Sequence, residues 1–122
     1  MKRDMELVLK ILEHLEERNE ISVIENLEIA GYDERIVSYH LRRMYEAGLL
    51  DAEAVTSTTT HERIIRILPF GLTWDGHEFL ASMRNQTVAK KVRERLGNSL
   101  SEVPFTLVKE LALALGRSQI GL

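Results

Sequence analysis

The chain has 122 residues, a formal net charge of −3 and a sequence isoelectric point near 5.8, and this length suits one domain with its own hydrophobic core. It contains no cysteine, which excludes disulfides, thiolate zinc sites, cysteine nucleophiles and thiol redox switches. The acidic balance argues against a protein that binds nucleic acid regardless of sequence, because such binding depends on neutralising many phosphates.

Charge is unevenly distributed along the chain. Residues 1–34 carry four basic and ten acidic side chains, a local charge of −6, whereas residues 84–95 carry five basic and one acidic side chain, a local charge of +4. An anionic partner would therefore contact the second half of the chain. The basic run has two interpretations: it lies beside a nucleic-acid backbone, or it balances the acidic amino-terminal helix across the fold. We favour the second.

The opening stretch, MKRDMELVLKILEHLEER, is charged from its second residue onward and contains no long apolar run. We therefore expect neither a secretion signal nor a membrane span, and we expect a cytoplasmic protein. Apolar residues recur at spacings of three and four, which predicts a helix with Asp4 as its N-cap. The predicted buried face consists of Met5, Leu7, Val8, Ile11, Leu12 and Leu15.

The next segment, SVIENLEIAGY at residues 22–32, fits either a short helix or a short strand, and we favour the helix. Gly31 can then adopt a positive φ, and Asp33 stands in the N-cap position of a helix over residues 33–47. Gly48 ends that helix at the position where a C′ glycine is common.

A β-hairpin is predicted after this helix. Leu50, Ala52 and Ala54 alternate with acidic residues, which is the period of a half-buried strand. The polar run TSTTTHE at residues 56–62 predicts an extended loop. RIIRIL at residues 63–68 predicts the returning strand, which Pro69 and Gly71 end.

Two helices are predicted after the hairpin. Thr73 caps the first, and the apolar register breaks at residues 84–86 before it resumes, so we expect a kink or break there. The buried sides of these helices consist of Phe79, Leu80 and Met83, then Val88, Val92 and Leu96.

A final helix is predicted with Pro104 in its first turn, after a turn at Gly97 and Asn98. Its residues are apolar over more of the circumference than one packing face needs, so a second partner surface is expected. The helix either packs within one chain or pairs with a second copy, and we favour a homodimer. The predicted dimer contacts are Phe105, Val108, Leu111 and Leu115.

The order of elements is that of a winged helix-turn-helix, in which the third element is the recognition helix. We therefore predict a mainly α-helical fold with a small β-hairpin. Residues 1–72 form the winged-helix core, and residues 73–122 form a carboxy-terminal helical extension that packs on it within one structural domain. SYHLRRMYEAGLL resembles the S-x-H-L-x-x-L-x-x-A-G-L-V segment of bacterial winged-helix repressors, and LTWDGHEFL resembles the L-T-x-x-G-x-x-x-L segment after their hairpin.

Nearly the whole chain also resembles a family of small bacterial and bacteriophage proteins known chiefly as a domain of unknown function. The matching stretches are MKRDMELVLKIL, GYDERIVSYHLRRMYEAGLL, LTWDGHEFLASMRNQTVAKKV and the closing apolar helix followed by Gly121 and Leu122. The resemblance implies a winged-helix fold and is compatible with a regulatory role, but it implies no particular activity.

The helix over residues 33–47 suits DNA recognition, and the hairpin tip over residues 56–63 would act as the wing. Arginine can donate two hydrogen bonds to O6 and N7 of guanine, and hydroxyl groups can hold phosphates. The helical wheel places inward Ile36, Val37, His40, Leu41 and Met44, and outward Arg35, Ser38, Tyr39 and Arg42. Arg43 lies at the flank, near enough to contact a phosphate. The predicted wing contacts are Thr58, Thr59, Thr60, His61 and Arg63.

A simpler interpretation is a solvated helix surface, because Asp33, Glu34 and Glu46 cancel the charges of the three arginines. We therefore consider two hypotheses. In the first, the protein is a sequence-specific regulator that binds double-stranded DNA as a homodimer and occludes a promoter. In the second, the same fold is a protein-interaction adaptor that uses the acidic surface or the apolar last helix.

Catalytic and metal-binding patterns are missing from the sequence. His14, His40, His61 and His77 are scattered without a metal-binding spacing, and neither a glycine-rich phosphate loop nor a serine elbow occurs. We therefore expect no enzymatic activity, no cofactor and no metal. On a packed helix, His40 is interpreted as a hydrogen-bonded core residue.

Overall fold

The computed structural model describes residues 1–60, 62–97 and 103–119. Its helices and strands are α1 (Met5–Glu17), α2 (Glu34–Glu46), β1 (Leu50–Thr56), β2 (Ile64–Leu72), α3 (Trp74–Arg84), α4 (Gln86–Leu96) and α5 (Phe105–Gln119). Over these residues the fold is mainly helical with one antiparallel hairpin, so the predicted coarse class is confirmed. No helix in this part of the chain combines the length and apolar character that crossing a membrane requires. His61, Asn98 and the Gly121–Leu122 pair lie outside the described residues.

Polar side chains fix where the helices begin. The Asp4 carboxylate accepts the backbone N–H groups of the second and third residues of α1 at 2.9 and 3.2 Å. The Asp33 carboxylate accepts the N–H of Arg35 at 2.7 Å. Each contact satisfies an amide that has no partner within its helix. The predicted N-caps Asp4, Asp33 and Thr73 are confirmed.

Asn85 separates α3 from α4, as the interrupted apolar register predicts. Its backbone is extended, with a ψ of 115°, and its side chain accepts the N–H groups of Thr87 and Val88 at 3.0 and 3.2 Å. One residue therefore ends α3 and caps α4. The predicted break at residues 84–86 is confirmed.

The segment over residues 22–32 is irregular, so the predicted short helix is wrong. Ile24 donates its backbone N–H to the carbonyl oxygen of Pro69 at 2.8 Å, and Leu27 is buried in the core. These tertiary contacts attach the segment to the edge of β2 and outweigh its weak helical period. Gly31 then turns the chain toward α2 with a φ of 87°, as predicted.

β1 and β2 pair as an antiparallel hairpin in which Leu50 lies opposite Leu72. The predicted alternation of β1 is confirmed, because Leu50 is buried and Ala52 and Ala54 are half-buried, while the acidic residues between them are exposed. The hairpin packs against α1 and α2. One face of β1 therefore joins the core and the other faces solvent.

β2 is longer than the sequence predicts. It runs through Pro69 and Gly71 to Leu72, so the prediction that these residues end the strand is wrong. Pro69 lies opposite Ala52, next to a register shift in the hairpin. A proline is tolerated at such an irregularity, because its missing N–H interrupts no regular pair of hydrogen bonds.

A hydrophobic core joins α1, α2, the hairpin and the carboxy-terminal helices. Fully buried side chains in it include Leu7, Ile11, Leu12, Phe79, Leu80 and Val108. Val108, a predicted dimer contact, is instead a core residue, because its side chain has 0% exposure within its own chain. The ring of Phe105 packs edge-on against Phe79, with centroids 5.5 Å apart. Leu111 and Leu115 are half-buried against the same core.

The start of α3 fits tightly against the residues that follow α2. The Thr73 hydroxyl donates to the carbonyl oxygen of Gly48, and the Thr73 N–H donates to that of Leu49 at 3.1 Å. A Cβ at Gly76 would overlap the carbonyl oxygen of Leu49. The glycine of the L-T-x-x-G stretch is therefore required for this close backbone approach.

Lys109 joins α5 to this junction. Its ammonium group lies 2.9 Å from the carbonyl oxygen of Ala47 and 2.9 Å from the carboxylate of Asp75, and its side chain is 18% exposed. A cation at this place satisfies a carbonyl at the end of α2 and interacts favourably with the helix dipole. α5 therefore holds the carboxyl end of α2.

Candidate nucleic-acid interface

The outward face of α2 contacts solvent, in agreement with the helical wheel. Its exposed or half-buried side chains are Arg35, Ser38, Tyr39 and Arg42. The buried residues of the helix are Val37, His40, Leu41 and Met44. Ile36, predicted to face inward, is instead 37% exposed, because it lies about 100° around the helix from Val37, at the edge of the buried arc.

His40 fixes the position of α2 against the start of α1. Its Nε2 accepts the backbone N–H of Asp4 at 2.8 Å, and its Nδ1 lies 2.8 Å from the carbonyl oxygen of Ile36. Because Nε2 accepts, Nδ1 carries the proton and donates it to Ile36, so the imidazole is neutral. The interpretation of His40 as a hydrogen-bonded core residue is confirmed, since its side chain is 1% exposed.

Glu46 holds two of the three arginines of α2. Its carboxylate lies 3.3 Å from Nε of Arg42 and 2.9 Å from Nη1 of Arg43. The hydrogen bond from Arg43 lowers the pKa of the Glu46 carboxyl, and the same contact raises the pKa of Arg43. All three side chains remain 43–55% exposed, so an anion in solution can compete with Glu46 for either guanidinium.

Arg35 differs from the other two arginines. It is exposed, and within the described part of the chain its side chain forms no ion pair. Its backbone N–H donates to the capping carboxylate of Asp33. Arg35 therefore keeps its guanidinium available to solvent, although the neighbouring carboxylates of Asp33 and Glu34 offset its charge.

The described tip of the hairpin is a compact polar turn. The hydroxyl of Ser57 accepts the N–H groups of Thr59 and Thr60 at 3.2 and 3.1 Å, and the Ser57 N–H donates to the carbonyl oxygen of Arg63 at 2.7 Å. The side chains of Thr58, Thr59, Thr60 and Arg63 are exposed. The turn is thus held by the Ser57 hydroxyl and one backbone contact. The Thr59 hydroxyl lies 3.1 Å from that of Ser57, and the Thr58, Thr60 and Arg63 side chains face solvent.

Two depressions flank α2 and divide the predicted DNA-contacting residues between them. The α2–β2 groove, about 100 Å³ in volume, is lined on α2 by Ser38 and Arg42 and on β2 by Arg66. The α2–α5 cleft, about 270 Å³ in volume, is lined on α2 by Tyr39 and Arg43. Ser38 and Arg42 therefore face the hairpin, whereas Tyr39 and Arg43 face the other side of the helix.

Two arginines beside α2 were not predicted from the sequence. Arg66 lies in the α2–β2 groove and donates to the carbonyl oxygen of Glu25. Its position in RIIRIL predicts a strand residue, but nothing in that stretch indicates the groove. Arg3 lies in the α2–α5 cleft and donates to the carbonyl oxygen of Val103 at 2.8 Å. No local pattern could indicate this contact, since its partners are 100 residues apart in the chain.

The basic run over residues 84–95 begins with an ion pair to the acidic first helix. Nη1 of Arg84 lies 2.6 Å from the carboxylate of Glu16 on α1. Further along α4, Lys90 lies 3.9 Å from Glu94. At Arg84 the structure agrees with the interpretation that the run balances the amino-terminal acidic charge.

Sequence comparison identifies the family. The model of the family described as "Hypothetical protein (DUF2513)" matches residues 2–100, which include α1 to α4 and the hairpin. The chain belongs to the DUF2513 family. This assignment agrees with the resemblance to a domain of unknown function, and the family description names no activity. The residues of α5 lie beyond the matched range, whereas the outward face of α2 lies within it.

A relative from Haemophilus influenzae is 32% identical to this DUF2513 chain over 114 residues, which cover 92% of each protein. Its name is "Uncharacterized protein". No solved structure matches the chain. Because 92% of the chain is aligned, the relative is similar over most of the described fold.

Proposed function

We propose that this DUF2513 protein is a winged-helix regulator that binds double-stranded DNA in a sequence-specific manner, with α2 in the major groove and the hairpin as the wing. The observation that supports this proposal is that Arg35, Ser38 and Arg42 are exposed along one face of α2, beside a polar hairpin. The order α1, α2, β1, β2 supports the proposed topology. In the proposed topology, the irregular segment at residues 22–32 stands where a helix normally precedes the recognition helix, which is a departure from the usual winged-helix order.

Each exposed group has a specific role in this proposal. Arg35 and Arg42 lie about two turns apart on α2. Both donate to guanine edges, because a guanidinium matches the paired O6 and N7 acceptors. Ser38, Tyr39 and Arg43 contact phosphates on either side. The proposed wing contacts are the exposed Thr59 and Arg63, which would reach the backbone or the minor groove, together with His61, which lies outside the described residues.

Glu46 makes the proposed binding selective. Its negative charge offsets Arg42 and Arg43 in the free protein, so phosphate attraction alone is weak. Binding then requires a base edge or phosphate that replaces Glu46 as the partner of these guanidinium groups. This arrangement reconciles an acidic protein with DNA binding, because affinity depends on specific contacts more than on net charge.

The regulator is proposed to act as a homodimer through α5. Leu107 is 51% exposed, and Leu111 and Leu115 are half-buried with part of their surface accessible. Two copies related by a two-fold axis would present two α2 helices to half-sites about one helical turn apart. Analytical ultracentrifugation of the full chain tests the dimer, and a single species with the mass of one chain would contradict it.

The test of DNA binding is a selection of bound fragments from random double-stranded DNA at about 50 mM salt. The enriched fragment is then titrated with the wild-type chain, with Arg42→Ala and with Lys90→Ala, whose side chain is 78% exposed on α4. Arg42→Ala should weaken binding by about 1–3 kcal/mol if it contacts a base, and Lys90→Ala should leave binding unchanged. Failure to enrich any fragment at low salt would contradict the proposal.

A second candidate is a protein-interaction adaptor, and the exposure of Trp74 favours it. This side chain is 77% exposed at the start of α3, and its indole N–H donates to Glu78 at 2.9 Å. Exposed tryptophans are frequent anchors of protein interfaces. The salt dependence of binding distinguishes DNA from a protein partner, because phosphate contacts weaken steeply as the salt concentration rises and an apolar contact does not. Fluorescence of Trp74, the one tryptophan in the chain, would shift only if a partner covers it.

A further inference from the structure

A register shift in the hairpin turns the Ile65 side chain out of the core. The residues on either side of it in β2 lie opposite Val55 and Thr56, which are consecutive in β1, so Ile65 is the extra residue at the shift. Strict alternation would place Ile65 on the buried face together with Ile67. Instead, Ile64 packs against the core and Ile65 is 55% exposed. The shift therefore exposes an apolar side chain that a regular strand would bury.

Ile65 lines the α2–β2 groove, which it shares with the outward face of α2. The α2 residues of this groove include Ser38 and Arg42, and both are exposed. Single exposed apolar side chains are common on protein surfaces and need no special explanation. Ile65 differs because a register shift directs it outward, and because it lines the same groove as Arg42, the proposed guanine contact. Bulges of this kind often redirect a side chain beside a functional site.

The charged groups that line the groove balance one another. Arg42 and Arg66 contribute two positive charges, and Glu25 and Glu34 contribute two negative charges. Arg42 also pairs with Glu46, and Arg66 donates to the carbonyl oxygen of Glu25. A phosphate in this groove would therefore meet as many carboxylates as guanidinium groups. The lining offers a phosphate no net attraction, and an uncharged group suits it better.

The size of the groove limits what can enter it. Its volume is about 100 Å³, whereas one water molecule occupies about 30 Å³ in the liquid and sites for small organic ligands begin at about 300 Å³. The space therefore admits a methyl group and excludes a whole nucleotide. In the major groove of DNA, the C5-methyl group of thymine is the apolar feature that distinguishes one base from the others.

We propose that Ile65 is a specificity-determining residue, whose side chain contacts the C5-methyl group of a thymine close to the guanine that Arg42 contacts. This inference rests on the proposed DNA binding and adds a second kind of contact to it. Arg42 donates hydrogen bonds to one base, and Ile65 makes an apolar contact with another. Burial of a single methyl group against an apolar side chain changes affinity about fourfold.

The test removes the methyl group from the DNA and the isoleucine side chain from the protein. The selected fragment is synthesised with deoxyuridine in place of one thymine at a time, because deoxyuridine forms the same base pair and lacks only the methyl group. Each fragment is titrated with the wild-type chain and with Ile65→Ala by fluorescence anisotropy. At one position deoxyuridine should weaken wild-type binding about fourfold. The same replacement should have no effect on Ile65→Ala, because the contact is already lost.

Val55→Ala is the matched control for Ile65→Ala. Val55 is 39% exposed on the neighbouring strand of the same hairpin, and the described lining of the groove does not include it. This variant should therefore respond to every deoxyuridine as the wild type does. Thermal unfolding of both variants establishes that they are folded before titration.

The outcomes distinguish failure of this contact from failure of DNA binding. Arg42→Ala could weaken binding while the wild type and Ile65→Ala respond alike to every deoxyuridine, which would retain DNA binding and refute the thymine contact. A loss of affinity in Ile65→Ala that is equal for thymine and deoxyuridine would place Ile65 against a sugar and overturn the inference. A selected fragment without thymine would overturn it as well. Failure to enrich any fragment would contradict both the proposed function and the contact.

Discussion

Glu46→Gln is the substitution that most directly tests the electrostatics of α2. The Glu46 carboxylate pairs with Arg42 at spacing i,i+4 and with Arg43 at spacing i,i+3, and the side chains are about half exposed. Exposed pairs of this kind contribute about 0.3–0.5 kcal/mol each. The variant should therefore lower the free energy of unfolding at neutral pH by about 0.5–1 kcal/mol, measured by urea denaturation with circular dichroism.

The same substitution has a defined pH dependence. The hydrogen bond from Arg43 depresses the pKa of Glu46 in the folded state, so the carboxylate stabilises the fold above its unfolded pKa of about 4.3. That contribution decreases as pH falls and is lost once pH passes below the folded pKa. The difference between wild type and Glu46→Gln should be present at neutral pH and disappear in acid. A difference that is constant across this range would refute the assigned ion pairs.

Glu46→Gln should strengthen DNA binding, although it lowers the stability of the fold. Removing Glu46 leaves Arg42 and Arg43 without their carboxylate partner, so the variant should bind the selected fragment more tightly and with a steeper salt dependence, about 0.9 per additional phosphate neutralised. Glu110→Gln, on the exposed side of α5, is the control for the change in net charge. Equal gains in affinity for both variants would show that Glu46 does not compete for the arginines, while Arg42→Ala would still report on groove contact.

Three further predictions concern the packing that positions α2, and urea denaturation measures each. Gly76→Ala should destabilise the fold by about 1–3 kcal/mol despite the higher helix propensity of alanine, because the new methyl group overlaps a backbone carbonyl. Gly71→Ala is the control, because a Cβ there meets nothing within 4 Å. It should be neutral or stabilise the fold by about 0.5 kcal/mol. Lys109→Met should cost about 1–2 kcal/mol because it removes a partly buried charged contact, whereas Lys90→Met should cost almost nothing. His40→Leu should cost about 1–3 kcal/mol by leaving an N–H at the start of α1 unpaired; a smaller loss would show that water replaces the imidazole.

Local signals predicted most of the fold. Asp33 and Gly48 delimit α2 because a carboxylate cap and a left-handed glycine act within a few residues. The break at Asn85 was predictable for the same reason. The segment at residues 22–32 was not, because its structure depends on a hydrogen bond between Ile24 and Pro69, which are distant in sequence.

The candidate site was only partly predictable. The exposed face of α2 follows from helical periodicity, so the positions of Arg35, Ser38 and Arg42 could be read from the sequence. The division of this face into two depressions could not, because each depends on a distant element, Arg66 of β2 or Arg3 before α1. Burial of Val108 was missed because an apolar helix has the same pattern whether it packs within its chain or against a second one.

Lys109 gives the carboxyl end of the chain an effect on a distant surface. It belongs to α5, beyond the residues that the family model matches, yet its ammonium group donates to the carbonyl oxygen of Ala47, the C-cap of the helix that bears Arg35 and Arg42. Relatives that replace this lysine would lose the contact that holds the carboxyl end of α2. Under the proposed function, differences in DNA preference among such relatives would then originate in a residue that never contacts DNA.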